Sequence, residues 1–336
     1  MRTIAASWVN GHLEVLDQTK LPLAETTVEL TRLSHYTKAI RVMQVRGAPL
    51  IGIVAAFGVA QESLLTKDMP VQFFQRRISK AISALAATRP TAVNLFWALE
   101  KQREVLKEYG DKPSTCARRM LEAAKAIQSA QVAAERKMAE ASLRLLPRKC
   151  TALTICNSGP LATGGIGTAL GSIIHAYKHG KVTDVIVPET RPRMQGRLTA
   201  WELEKAGVPF TIIADGAVGL ALKAKNIGAA FVGADRIAAN GDTANKIGTY
   251  AMAVLCREHR VPFIVVAPES TIDRACPTGS GIVIEERDGD EIRIVGGKRQ
   301  MPARWNAWNP AFDVTPNSLI SFIVTEKGAR RGGRLR

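Results

Sequence analysis

The stretch LTICNSGPLATGGIGTALG, Leu153 to Gly171, sets a thiol where a strand must end. An apolar run leads to Cys156, glycines follow, and helical spacing then resumes. A cysteine near a helix N-terminus is placed where thiolate character is favoured, although a free cysteine also serves as a small buried hydrophobe. Glycines let a backbone come close to an anion, and a helix N-terminus offers it unpaired N–H groups. Position 170 is Leu, so the run from Gly165 to Gly171 does not meet G-x-G-x-x-G, and no P-loop pattern is present. In FVGADRIAANGDTANKIGT, Phe231 to Thr249, an apolar strand delivers Asp235 into a loop rich in Gly, Asn and Asp. That carboxylate fits either a cap on its own turn or acid–base chemistry. Asn245 and Lys246 fall just before the next helix, where a lysine suits a phosphate. ETRPRMQGRL puts Arg191, Arg193, Gln195 and Arg197 after another strand. They form either a clamp of rigid donor forks or a solvated basic loop. VRGAPLIGI and TRPTAVNLFWAL set Arg46, ahead of Gly47 and Ala48, and Arg89 in turns before apolar helices.

The elements that must hold these residues follow from the spacing. In the first part, Asn10-Gly11 between apolar runs reads as a hairpin. A strand and a series of amphipathic helices follow, one with Pro49 in its first turn and one stopped at Gly110. A long helical pattern from Ser114 or Thr115 to Pro147 is expected to link two domains. Beyond residue 150 the runs TALTIC, DVIVPE, FTIIAD, AAFVGAD and PFIVVAPE alternate with helical patterns. Continuous apolar strands separated by helices predict a parallel sheet covered on both faces. The carboxyl ends of those strands carry Cys156, Glu189, Asp215, Asp235 and Glu269, at the edge where open parallel sheets bind ligands.

The 336 residues suit about two domains. The division expected is 1–127, a mainly helical domain with a small β-sheet, and 128–336, a Rossmann-like α/β domain. Five cysteines without C-x-x-C spacing and five histidines without ligand spacing give no zinc or disulfide framework. No apolar run approaching about 20 residues is evident, and no signal peptide, so a cytoplasmic protein with no membrane partner is expected. The net charge is +16; residues 1–150 carry 23 basic and 13 acidic side chains and residues 151–336 carry 23 and 17. An excess so spread, with 5% aromatic residues and no recognition motif, favours a small anionic substrate over nucleic acid.

Seven segments in order, VRGAPLIGI, TRPTAVNLFWAL, CNSGPLATGGIGTALG, ETRPRMQG, LTAWELEKAGVP, GADRIAANGDTANKIGTY and NPAFDVTP, resemble the methylthioribose-1-phosphate isomerase family. The resemblance spans residues 8 to 328. It implies an aldose–ketose isomerase of methionine salvage, acting as a homodimer without metal or nicotinamide. It implies a catalytic pair, Cys156 and Asp235, and substrate or phosphate contacts from Arg46, Gly47, Ala48, Arg89, Gln195, Asn245 and Lys246. Desolvation would raise the pKa of an acid that opens the sugar ring. The family commonly has His where Ile155 stands and Asp where Pro188 stands. Related pentose phosphates, 5-deoxyribose 1-phosphate and ribose 1,5-bisphosphate, therefore stay open as substrates. So does the non-catalytic role of the related initiation-factor subunits.

Overall fold

The computed structural model describes residues 5–89, 93–147 and 149–332. The chain divides into two units, one taking the chain up to Glu135 together with Gly159–Gly167, the other taking Arg136–Ser158 and the chain from Thr168 onward.

In the first unit, β1 (Ala6–Val9) and β2 (His12–Leu16) form the expected antiparallel hairpin. Asn10 and Gly11 turn it at φ of 50° and 84°, the left-handed pair that a two-residue hairpin needs. β3 (Thr27–Leu30) adds to β2. Helices α1 (Leu33–Arg41), α2 (Ala48–Thr66), α3 (Val71–Ala86), α4 (Val93–Tyr109) and α5 (Pro113–Leu143) follow. Pro113, not Ser114 or Thr115, opens α5, since a first-turn residue loses nothing by lacking an N–H. By length and composition alone α2 could cross a bilayer, with a mean hydropathy of 1.6. However, 78% of that stretch is buried, as in a helix that is apolar all round and forms a core. The short α6 (Pro160–Thr163) completes this unit.

The second unit is built on β4 (Cys150–Thr154), β5 (Val182–Pro188), β6 (Phe210–Ile213) and β7 (Ile227–Val232). Between them run α7 (Ala169–Lys178), α8 (Gly196–Ala206) and α9 (Val218–Ala224). Next come β8 (Arg236–Ala238), β9 (Thr243–Lys246), α10 (Thr249–Glu258), β10 (Phe263–Val266) and β11 (Ile272–Asp273). The chain then forms α11 (Asp290–Arg293), β12 (Ile294–Val295), β13 (Lys298–Arg299), β14 (Phe312–Thr315), β15 (Phe322–Thr325) and β16 (Gly328–Arg331). Seven strands make one sheet in the order β6-β5-β4-β7-β10-β15-β16, parallel except for β16. The six parallel strands thus follow the doubly wound order, which reverses between β4 and β7, and a sheet of this kind opens a crevice at that reversal. Leu153, Ile186, Val232 and Val265 of the sheet pack with Val218 and Leu222 of α9 and Met252 of α10.

The loop expected after Asp235 is instead part of a second sheet, ordered β11-β8-β9-β14. Its strands are two to four residues long, too short for an alternating pattern to show. Asn240 and Asp242 hold the connection between β8 and β9, the Asp242 carboxylate accepting the N–H groups of Gly279 and Asn317.

Candidate active site

Cys156 lies two residues beyond β4, with φ at 64°. A non-glycine residue in that region stores strain of roughly 1–3 kcal/mol unless its neighbours hold it. Two threonines do so. The Cys156 N–H donates to Thr190 Oγ1 at 3.0 Å, and Thr199 Oγ1 donates to the Cys156 carbonyl at 2.7 Å. Thr190 (φ 62°) lies just beyond β5, and its own N–H donates to Asp215 Oδ1 at 2.8 Å, at the end of β6. Asp215 also accepts the Arg191 N–H at 2.7 Å. The ends of β4, β5 and β6 are thereby wired together. Cys116, Cys150, Cys256 and Cys276 are buried and Cys156 is partly exposed. Burial pushes the Cys116 thiol up to about 11 and Cys256 to about 12.

Asp235 lies three residues beyond β7, across the strand-order reversal from Cys156, and its N–H donates to the Ala244 carbonyl at 2.9 Å. Its residue is exposed, so the apolar enclosure expected around a ring-opening acid is not supplied there by the chain. Lys246, at the end of β9, is 6% exposed. Its Nζ donates to the Ala311 carbonyl at 2.8 Å and stands 4.4 Å from the centre of the Phe312 ring. Burial lowers its pKa; the electrostatic influence of Cys156 and then Asp235 opposes that, while Arg287 and Arg193 add to it.

Asn245 is buried, and its Nδ2 donates to Thr249 Oγ1 at 3.0 Å. Gln195, also buried, precedes α8 and has an Oε1 with no hydrogen-bond partner. The arginine loop divides. Arg193 Nε meets Glu291 Oε2 at 2.9 Å, and Arg191 donates to the Ile292 carbonyl at 3.2 Å, whereas Arg197 is exposed. Glu269, expected at the sheet edge with the others, bonds Thr325 and faces Lys327.

Sequence reasoning passed over Asp313. It pairs across β9–β14 with Asn245, and its two oxygens accept the N–H groups of Gly248 and Tyr250 at 2.7 and 3.0 Å. Burial raises its pKa to about 6 against those bonds and the Lys246 charge. NPAFDVTP was the only signal for it.

The glycine run does hold a carboxyl group, but the group is the chain's own, and burial raises its pKa against the hydrogen bonds it accepts. Glu135, fully buried, accepts the N–H of Gly167 at 2.9 Å and that of Ile166, with Gln131 Nε2 at 2.8 Å. A Cβ on Gly165 would overlap that carboxylate. These amides are therefore not available to a phosphate, because a tethered carboxylate already fills them. At the start of α7 the Leu170 N–H goes to Ser158 Oγ at 3.1 Å. In the same first unit, Gly47 has φ of 96°, and a Cβ there would fall on the Ala162 backbone. Ala48 begins α2, Arg46 precedes it and Arg89 follows α3.

The initiation factor 2 subunit family model matches residues 44–331. Methylthioribose-1-phosphate isomerase of Alcanivorax borkumensis is 48% identical over 330 residues, covering 98% of this chain and 94% of that protein. The enzyme of the same name from Desulforamulus reducens is 45% identical over 326 residues, covering 96% and 94%. Among solved structures, 5-methylthioribose 1-phosphate isomerase from Pyrococcus horikoshii matches with a TM-score of 0.93 at 38% identity, covering 98% of this chain and 93% of that one. The translation initiation factor eIF-2B subunit delta from A. fulgidus matches with 0.90 at 36% identity, covering 98% and 96%. With this breadth of match on a shared doubly wound sheet, the chain belongs to the initiation factor 2 subunit family.

Proposed function

We propose that the protein is an aldose–ketose isomerase of methionine salvage, converting 5-methylthioribose 1-phosphate into 5-methylthioribulose 1-phosphate. The observation that carries this reading is the placing of Cys156 beyond β4 and Asp235 beyond β7, on either side of the strand-order reversal, with Lys246 buried at the end of β9 in the same unit. The anomeric carbon of the substrate bears a phosphate ester, so the ring does not open as a free hemiacetal does. A proton must reach the ring oxygen as its bond to C1 breaks. Hydrogen then moves from C2 to C1, and the C2 hydroxyl gives up its proton as the ketone forms, which leaves composition unchanged. Cys156 and Asp235 are the pair assigned to these transfers. Lys246, Asn245, Gln195, Arg46, Arg89 and the Gly47–Ala48 backbone are assigned to holding the phosphate and the sugar hydroxyls, so that binding fixes the reacting carbons in place. The protein is further proposed to be a homodimer and to work in the cytoplasm.

The test is turnover of 5-methylthioribose 1-phosphate beside 5-deoxyribose 1-phosphate and ribose 1,5-bisphosphate. Cys156→Ala and Asp235→Asn should each lower kcat by about 10²–10⁴ with the melting temperature unchanged. Near-parental turnover in either variant removes that residue from the mechanism. A preference for another of the three sugars reassigns the substrate. The likeness to an eIF-2B delta subunit at 36% identity favours one second reading, a regulatory protein. Absence of turnover on all three sugars would support it.

A further inference from the structure

Two polar side chains sit on the inner face of α8, where packing alone would ask for apolar ones. Thr199 is 1% exposed and Glu202 is 2% exposed. Three residues apart, they share one face of the helix. Both reach the segment after β4. Thr199 Oγ1 donates to the Cys156 carbonyl at 2.7 Å, which leaves its lone pairs toward Asn157 Nδ2 at 3.2 Å. The same Asn157 Nδ2 donates to Glu202 Oε2 at 2.5 Å. Both neighbours of that nitrogen accept, so they fix which way round the amide lies. The arrangement leaves Asn157 Oδ1 buried without a hydrogen-bond partner. Burying an acceptor in that way is unfavourable, and a carboxylate under a helix is dearer than a leucine of similar size. A fold that needed only packing would not keep this pair.

What the pair holds is the backbone on either side of the thiol. Cys156 is left-handed at φ 64°, a conformation it would leave if released. Thr190 ties its N–H and Thr199 ties its carbonyl. Asn157, bonded to both Thr199 and Glu202, blocks the next residue from rotating.

We infer that Thr199 and Glu202 are positioning residues for Cys156, a buried hydroxyl and a buried carboxylate on one face of α8 that clamp the Cys156–Asn157 segment and so aim the thiol. The inference deepens the isomerase reading and rests on it for its consequence in turnover, but not for its geometry. Misplacing a reacting group by about 1 Å costs on the order of 10²-fold in rate, and neither Thr199 nor Glu202 is among the residues assigned to hold the phosphate. The effect should therefore fall on kcat rather than on KM.

The test uses the full chain. Thr199→Val and Glu202→Leu remove the polar groups; Thr199→Ser and Glu202→Gln restore them. The first readout is the rate of Cys156 alkylation by iodoacetamide as a function of pH, followed on the Cys156 peptide by mass spectrometry. The other four thiols are buried, and this readout needs no substrate. The second is kcat and KM on 5-methylthioribose 1-phosphate. The apolar variants should shift the alkylation profile and lower kcat about tenfold or more with KM within about twofold, and the conservative variants should return both to parental values. Parental behaviour of the apolar variants in both readouts, or failure of the conservative ones to rescue, overturns the inference. If an apolar variant does not fold, Asn157→Ala, cut at the half-exposed end of the network, takes its place with the same expectation. Parental values there overturn the inference equally. A parent chain that turns over no sugar phosphate sinks the isomerase reading and leaves the alkylation comparison to decide the clamp.

Discussion

At the scale of single residues, the chemistry proposed for this site rests on residue types at or near strand ends. Cys156 and Asp235 could be singled out from the sequence because apolar strands deliver them to the same edge, and Gln195, Asn245 and Lys246 because they are polar or basic side chains in segments that precede a helix. What the sequence did not show is how each is held. Burial of Lys246 against Phe312 depends on β14, some 65 residues further along the chain. For the same reason Asp313 went unread: its role comes from facing Asn245 across a short antiparallel pair. Its carboxyl titrates at about 6 rather than at its ordinary 3.8. A folded-state pKa above the unfolded value means the native state holds the proton more tightly. Asp313 therefore favours folding most at acid pH, and its contribution is lost as pH rises between about 4 and 6. The full swing is on the order of 3 kcal/mol. Asp313→Asn should flatten that part of the stability–pH curve, as followed by chemical denaturation between pH 4 and 7. An unchanged slope would show that the carboxyl is not the group responsible.

At the scale of elements, the long runs were legible and the short ones were not. Five apolar strands and four helices of the second unit fall where their spacing places them, as does the hairpin at Asn10-Gly11. The β8–β9–β14 sheet escaped because strands of three or four residues are too short to show a period. The glycine run was expected to let an anionic ligand come close; its Ile166 and Gly167 amides are instead taken by Glu135, which precedes them by some 30 residues on a helix and so left no local signal. Glu135→Ala should leave the Ile166 and Gly167 amides without their acceptor and destabilise the protein by about 3 kcal/mol, read as a fall in urea midpoint. A midpoint unchanged within error would mean that water replaces the carboxylate without loss. Gly47→Ala should be as damaging for a different reason, because a side chain at φ 96° is strained and its Cβ would meet the Ala162 backbone.

At the scale of the whole molecule, the architecture could be expected before any coordinates, because strand-and-helix alternation leaves few ways to cover a parallel sheet. The proposed homodimer predicts a mass in solution twice the 36.3 kDa of one chain, measurable by light scattering across a dilution series; a single-chain mass at all concentrations would discard it. The charge of +16 is less telling. Side chains that carry it on the outside sit in electrolyte, and their long-range attraction fades once salt shortens the Debye length to about 8 Å. Lys246 is different, for counterions cannot crowd around an ammonium that the fold has already dried. If that ammonium is what a sugar phosphate meets, raising sodium chloride severalfold should slow the encounter but scarcely loosen the grip.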